Sequence, residues 1–79
     1  NPYEVDLHTI DLSDKKNFII NSFDGRGILT FKSLLKKCKN KLEVIMTFIA
    51  ILDLIQQLKI AVLQSSLFDD IEIHLMGKN

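Results

Sequence analysis

The sequence predicts an α+β domain of three helices and a small antiparallel β-sheet. The stretch from Asn40 to Gln64 starts with the apolar spacing of a helix and changes at Ile60 to β-branched residues typical of a strand. Two shorter amphipathic patterns precede it, separated by the turn residues 24–27, and a strand-like pattern, 71–76, follows it. A chain of 79 residues can build only one core, so we expect a single domain.

Composition and charge narrow the class of protein. Hydrophobic residues make up 47% of the chain and charged residues 25%, which is typical of a folded globular domain. Ten basic and ten acidic residues cancel, unlike the basic balance of most nucleic-acid-binding domains. The most apolar run, Val44 to Ile55, is shorter than the roughly 20 residues of a membrane span. We therefore expect no membrane partner. The single cysteine, Cys38, cannot form an internal disulfide, which favours a cytoplasmic protein.

The first part of the chain predicts an edge strand and a helix. Residues 3–10 alternate apolar and polar side chains, the period of a half-buried strand. Ser13, followed by Asp14, is the expected N-cap of helix one. The apolar side of this helix consists of Phe18, Ile19, Ile20 and Phe23. The turn at residues 24–27 ends it.

Helix two is predicted after a short bridging strand, Ile28 to Thr30. Thr30 has the side chain of an N-cap residue, and the helix is expected to end near Lys39-Asn40. Its apolar residues recur at the spacing of one helical stripe: Phe31, Leu34, Leu35 and Cys38.

Helix three is predicted to start after Asn40, which forms a capping box with Glu43. The apolar stripe expected to face the core comprises Leu42, Ile45, Phe48, Ile49, Leu52 and Ile55. Further apolar residues widen the arc beyond half of the circumference: Val44, Met46, Ile51, Leu54 and Leu58. We therefore expect neighbouring elements or a partner protein to cover more than one face of this helix.

A hairpin is predicted to close the domain, with strands at 60–64 and 71–76 joined by residues 65–70. Strict alternation places Gln64 on the apolar side of its strand, where an amide needs hydrogen-bond partners. Gln64 either binds backbone groups of the hairpin turn or reaches a partner chain. A strand, three helices and a terminal hairpin together describe a winged helix.

Residue types with catalytic or metal-binding chemistry are few and scattered. His8 and His74 lie near opposite ends of the chain, and His74 is expected to be an outward strand residue. Cys38 lies on an apolar stripe, as expected for a small core residue. Asp69, Asp70 and Glu72 lack the glycine and ligand spacing of a calcium loop. The sequence predicts no enzyme activity, metal or cofactor.

Lysines form the one concentrated charge in the chain: Lys32, Lys36, Lys37, Lys39 and Lys41. They either touch DNA phosphates weakly or form a solvated surface, and the composition of helix three favours the solvated surface. A helix that reads DNA bases carries Arg, Lys, Asn or Gln, whereas the third helix presents mainly aliphatic residues. Two alternatives to a domain that docks on a different protein are a DNA-binding winged helix of a transcription regulator and a winged-helix dimerisation module. An aliphatic surface of this kind favours a protein partner.

Three segments resemble the C-terminal domain of segregation and condensation protein A, the bacterial kleisin family. They are TFIAILDLI at 47–55, IAVLQ at 60–64 and FDDIEI at 68–73, and the similarity extends over about residues 10–76. The sequence departs from the family pattern at Asp53, Leu67 and Asp69, where Glu, Pro and Gly are usual.

The resemblance implies a non-catalytic domain that docks on the head of an SMC ATPase and closes a ring that acts in chromosome condensation and segregation. It places the contact on helix three and the hairpin, at Phe48, Leu52, Ile55, Val62 and Gln64. The chain would be the C-terminal fragment of a longer, nucleoid-associated kleisin whose N-terminal domain and linker lie outside this sequence. That linker would bind segregation and condensation protein B, and DNA would be contacted only indirectly or weakly.

Overall fold

The fold contains three helices and one three-stranded antiparallel sheet, and the predicted α+β class is confirmed. A computed structural model describes residues 11–77. The elements are α1 (Leu12–Ile20), β1 (Ile28–Thr30), α2 (Phe31–Lys36), α3 (Lys41–Gln56), β2 (Ile60–Leu63) and β3 (Glu72–Leu75). The strand predicted at residues 3–10 lies outside the described residues. None of the helices within 11–77 is long and apolar enough to cross a membrane.

Helix α1 begins two residues earlier than the sequence predicted, and it ends at Ile20, so Phe23 lies beyond it. Its N-cap is Asp11, not Ser13, because Asp11 has extended backbone angles and its side chain accepts a hydrogen bond from the Ser13 backbone N–H at 2.9 Å. Ser13 therefore lies inside the first turn. Aspartate and serine cap helices about equally well, so residue type alone could not choose between the two positions.

Asp24 organises the turn between α1 and β1. Its carboxylate accepts hydrogen bonds from the backbone N–H groups of Arg26 and Ile28 and from the Arg26 side chain. The bond from Ile28, followed by that from the Arg26 side chain, lowers the pKa of Asp24. The ionised carboxylate therefore stabilises the folded domain at any pH above the ordinary pKa of aspartate. This stabilisation is lost as the pH falls through the lowered pKa of Asp24. Gly27 completes the turn at a φ of +74°, a conformation that favours glycine.

Helix α2 is capped as predicted but is shorter. The Thr30 hydroxyl accepts from the Ser33 backbone N–H at 3.3 Å, which confirms the N-cap. The helix ends at Lys36 rather than near Lys39-Asn40. The N–H groups of Lys37 and Cys38 bond three residues back, which tightens and closes the last turn. The backbone is extended at Asn40, which is the conformation of a residue that caps the next helix.

The predicted start of α3 is confirmed, but its predicted core face is wrong. The Asn40 side chain accepts from the Glu43 backbone N–H at 2.9 Å, and the Glu43 carboxylate accepts from Lys39 N–H at 2.8 Å. The residues that α3 buries are Met46, Thr47, Ala50, Ile51 and Leu54. Four members of the predicted core stripe are instead exposed: Ile45, Phe48, Ile49 and Leu52. Because apolar residues occur on both sides of α3, periodicity alone could not identify the buried side.

The end of α3 contains a residue in an unfavourable backbone conformation. Leu58 has a φ of +61°, and the N–H groups of Leu58 and Lys59 bond to the carbonyls of Ile55 and Leu54. This is the hydrogen-bond pattern of a Schellman motif, in which glycine or asparagine usually occupies the left-handed position. Leu58 is 74% exposed, so little packing offsets the strain.

We expect Leu58→Asn to stabilise the domain by about 0.5–1 kcal/mol, because asparagine tolerates the left-handed conformation better than leucine. Urea unfolding followed by circular dichroism measures the change. Leu58→Ala is the matched control, since alanine removes the same exposed side chain but keeps the backbone penalty. A free energy of unfolding for the asparagine variant no higher than that of the alanine variant would show that Leu58 is not strained.

The sheet packs on α3 and completes the core. Its strand order is β1-β3-β2, so β3 is central; Ile73 lies opposite Leu29 on one side and Val62 on the other. Helix α1 packs on another side of α3, where Lys16 Nζ lies 2.6 Å from Asp53 Oδ2 in a partly buried ion pair. The core cluster consists of Ile19, Leu29, Leu34, Ala50, Ile51, Leu54, Ile60 and Ile73.

Candidate protein-binding surface

The side of α3 that faces away from the core is apolar and exposed. We define the outer α3 face as Ile45, Phe48, Ile49 and Leu52, whose side chains are 42–61% exposed. Residues three and four apart are neighbours on a helix, so these four side chains form one continuous patch. Isolated exposed apolar residues are common, whereas a continuous apolar patch is typical of an interaction site.

An apolar groove lies beside this face, between α3, the start of α2 and the sheet. Its volume is about 160 Å³. The Phe31 and Phe48 rings contact each other in it, with centroids 4.8 Å apart and a tilt of 59°. The residues that line the groove are all apolar: Phe31, Phe48, Ile51, Leu52, Ile55, Val62, Ile71 and Ile73. A groove of this composition fits an apolar side chain of another protein better than it fits a polar ligand.

The structure brings together four of the five residues predicted to bind a partner. Phe48, Leu52 and Ile55 lie on α3, and Val62 lies opposite them on the edge strand β2. Val62 shares the core side of the sheet with Ile60, but it is 42% exposed whereas Ile60 is buried. The groove is therefore formed where the sheet extends beyond the cover provided by α3.

Gln64, the fifth predicted residue, makes hydrogen bonds inside the domain. It directly follows β2, and its Nε2 donates to the carbonyls of Leu67 at 3.1 Å and Asp69 at 2.7 Å. These bonds match the first of the two alternatives for this side chain, in which it satisfies backbone groups of the hairpin turn. Gln64 thus holds the shape of the turn next to the groove.

Phe31 and Ile71 line the groove but were missed as site residues. Phe31 was expected only to pack helix two on the core, and Ile71 only to begin the last strand. No local sequence signal pairs either residue with Phe48, because their proximity depends on the tertiary arrangement. The structure shows the link in a hydrogen bond from the Phe31 backbone N–H to the Ile71 carbonyl at 2.9 Å.

The lysine cluster lies on α2, on the segment between α2 and α3, and at the first residue of α3, and none of its members lines the groove. Its members are all exposed: Lys32, Lys36, Lys37, Lys39 and Lys41. None of them forms an ion pair within the described residues. Lys37 Nζ lies 5.3 Å from the centroid of the Phe18 ring. The cluster is thus a solvated basic surface next to an exposed aromatic side chain.

The cysteine and the histidine considered as possible catalytic or metal-binding residues each contact a neighbouring side chain of the domain. Cys38 is half-buried, with Sγ 3.4 Å from the Thr47 hydroxyl. His74 Nε2 lies 2.9 Å from a Glu72 carboxylate oxygen on the strand surface. Within residues 11–77, no group of three or more His, Cys, Asp or Glu side chains is arranged to hold a metal ion.

Comparison with known proteins identifies the family of this chain. A family model described as "Segregation and condensation protein ScpA" matches residues 4–76. The chain belongs to the segregation and condensation protein A family. Relatives with that name include proteins from Clostridium tetani, 33% identical over 99% of this chain, and Clostridium acetobutylicum, 38% identical over 86%. The protein of Caldanaerobacter subterraneus is 36% identical over 99%.

The chain spans only about a third or less of these family members. The matched region covers 31% of the Clostridium tetani protein, 26% of the Clostridium acetobutylicum protein and 32% of the Caldanaerobacter subterraneus protein. The similarity of this segment thus establishes membership of the segregation and condensation protein A family, while most of the length of these relatives lies outside the comparison.

Proposed function

We propose that this chain is the C-terminal winged-helix domain of a bacterial kleisin and docks on the head of an SMC ATPase. The order of elements, α1-β1-α2-α3-β2-β3, and the strand order β1-β3-β2 support the winged-helix assignment. In this proposal the domain has no catalytic role. It closes an SMC ring in chromosome segregation and condensation, and other parts of the longer protein bind segregation and condensation protein B.

The apolar groove next to the outer α3 face is the observation that carries the proposal. The groove contains no charged residue, and Phe48 and Leu52 are 48% and 61% exposed beside it. Exposed apolar area of this kind stabilises a complex when a partner removes it from water, by roughly 25 cal/mol per Å². Contact with a matching apolar surface of an SMC head would therefore provide most of the affinity of the complex. Charged residues around the groove would fix the orientation of the head.

The lysine cluster favours one rival, a domain that binds DNA. Its charges could attract phosphates, but the outer α3 face offers no side chain that reads base edges. We therefore expect the domain to bind duplex DNA only weakly, without sequence preference and with strong salt dependence. A mobility-shift titration at physiological salt tests this. A sequence-selective complex of nanomolar affinity would support the DNA-binding rival instead.

Size-exclusion chromatography with light scattering tests the docking proposal. We expect the domain and a purified SMC head to elute as a stoichiometric complex, and the domain alone to elute as a monomer. Separate elution at concentrations well above micromolar would contradict docking on the head. A free domain that elutes as a dimer and does not bind the head would favour the dimerisation alternative.

A further inference from the structure

A second cavity lies where the three helices meet, separate from the apolar groove. Its volume is about 410 Å³, against about 160 Å³ for the groove. The buried side chains of Ile19 and Leu34 form its floor, and Glu43 and Thr47 line it from α3. We call this cavity the three-helix cleft. None of the described residues lines both the cleft and the groove, so a ligand can enter the cleft while the groove is occupied.

Two lysines and an aromatic ring lie together at the mouth of the three-helix cleft. Lys15 Nζ lies 5.7 Å and Lys37 Nζ 5.3 Å from the centroid of the Phe18 ring, which is partly exposed. All three residues line the cleft. Neither ammonium group forms an ion pair within residues 11–77. The exposed Lys36 and Lys39 extend the positive charge along the chain on both sides. The mouth therefore offers ammonium groups with which the carboxylates of a ligand can pair.

Carboxylates at the same cleft disfavour a ligand that is negative along its whole length. Asp11, Asp14 and Glu43 line the cleft together with the two lysines. Like charges repel at short range, so a nucleic-acid backbone laid across the cleft would be attracted by the lysines and repelled by the carboxylates. A ligand with separate negative and neutral parts avoids this repulsion, since its negative groups can face the lysines alone.

The floor of the cleft requires an apolar group from the ligand. Ile19 and Leu34 are buried there, and half-buried Cys38 also lines the cleft. A peptide supplies both features, because an apolar side chain and carboxylates can be neighbours in one chain. Binding of acidic motifs by clustered basic side chains is a recurring mode of peptide recognition. The cleft also has the size of a typical ligand site, roughly 300–1,000 Å³.

We propose that the three-helix cleft binds an acidic peptide segment of a second protein. One apolar side chain of the peptide enters the cleft against Ile19 and Leu34, and carboxylates on either side of it pair with Lys15 and Lys37. The inference does not rest on docking to the SMC head, because it uses neither the groove nor the outer α3 face. It gives the domain two separate surfaces for two partners.

Protection of Cys38 from alkylation tests the inference. Cys38 is the only cysteine of the chain and lines the cleft, so the rate of its reaction with iodoacetamide reports on occupancy. The probe is a synthetic peptide of glycine and serine with a central leucine and two glutamates on each side of it. We expect half-maximal protection at a probe concentration on the order of 1 mM, the affinity of one buried side chain and exposed ion pairs. No protection at about 10 mM would overturn the inference.

Two control peptides separate the parts of the ligand. Replacing the leucine of the probe by serine should weaken protection about ten-fold or more, since the floor then has no apolar partner. Replacing the glutamates by glutamines should weaken protection about five-fold, since exposed ion pairs contribute little each. Equal protection by all three peptides would contradict recognition of an acidic peptide with an apolar anchor.

The double variant Lys15→Gln, Lys37→Gln tests the ion pairs. Glutamine removes the charge and keeps most of the side chain, so the thermal midpoint should stay close to that of the parent. We expect the probe to protect Cys38 about five-fold more weakly in this variant, and the glutamine peptide to protect both proteins equally. Lys32→Gln, Lys41→Gln is the matched control, since these exposed lysines do not line the cleft, and the probe should protect it like the parent. Parent-like protection of the first variant would overturn the inference.

The other occupants give different results. If a short DNA duplex protects Cys38 at lower concentrations than the probe, and the lysine variant loses this protection, the cleft binds nucleic acid and the inference is wrong. If the probe protects Cys38 only after residues 1–10 are removed, the occupant belongs to this chain and the inference of a second protein is also wrong. Protection by the probe in a domain that does not bind the SMC head would support this inference and contradict only the docking proposal.

Discussion

Phe48→Arg and Leu52→Arg should each abolish binding to the SMC head and leave the domain folded. Central interface residues of this type contribute about 2 kcal/mol or more each, and a desolvated arginine without a partner adds a further penalty. Together these effects weaken binding by more than about a thousand-fold, since each 1.4 kcal/mol is a factor of ten. In the free domain the arginine can extend its charge into water. Calorimetric titration with the head measures the loss.

Leu52→Arg is the cleaner of the two variants, because Leu52 is 61% exposed whereas Phe48 packs against the Phe31 ring. Leu58→Arg is the matched control, since it places the same charge on an exposed leucine outside the groove. We expect it to bind like the parent. Parent-like binding by both Phe48→Arg and Leu52→Arg would show that the partner contacts another surface, and unfolding of both would show that these residues stabilise the free domain.

Leu54→Asp should unfold the domain. Leu54 is 1% exposed on the buried side of α3 and belongs to the core cluster. The substitution loses the burial of a leucine and places a carboxylate where it has no partner, at a combined cost of several kcal/mol. Native domains are stable by only about 5–15 kcal/mol, and one of this size falls near the lower end. We expect circular dichroism to show no cooperative thermal transition.

Ile45→Asp is the matched control on the same helix. Ile45 is 46% exposed, so its carboxylate stays in water and the thermal transition should survive with a small change in midpoint. This pair of variants tests the orientation of α3 directly. Loss of the transition in Ile45→Asp together with its survival in Leu54→Asp would mean that the opposite side of α3 faces the core.

The sequence predicted the starts of α2 and α3 because local chemistry determines them. Thr30 and Asn40 cap their helices through hydrogen bonds to N–H groups three residues on, which a short motif reveals. Local chemistry was insufficient at α1, where Asp11 and Ser13 are both good caps. It was also insufficient for the orientation of α3, since only the tertiary structure determines whether Ile51 or Phe48 faces the core.

The candidate site was predictable where it lies on one element. Phe48 and Leu52 are one helical turn apart, so their adjacency follows from helix geometry alone. Phe31 and Ile71 come from α2 and the residue before β3, and their position in the groove follows from the packing of the sheet on α3. Gln64 was predicted to need hydrogen-bond partners, but only the coordinates show that two carbonyls of the turn provide them.

Nuclear magnetic resonance mapping of the ¹⁵N-labelled domain with the SMC head tests the docking surface most directly. We expect the largest changes in backbone amide signals along the outer α3 face, in β2 and in the β2–β3 turn. The lysine-rich segment from Lys36 to Lys41, which does not line the groove, should change least. Changes concentrated in that segment, with the signals of Phe48, Leu52 and Val62 unaltered, would contradict docking through the apolar groove.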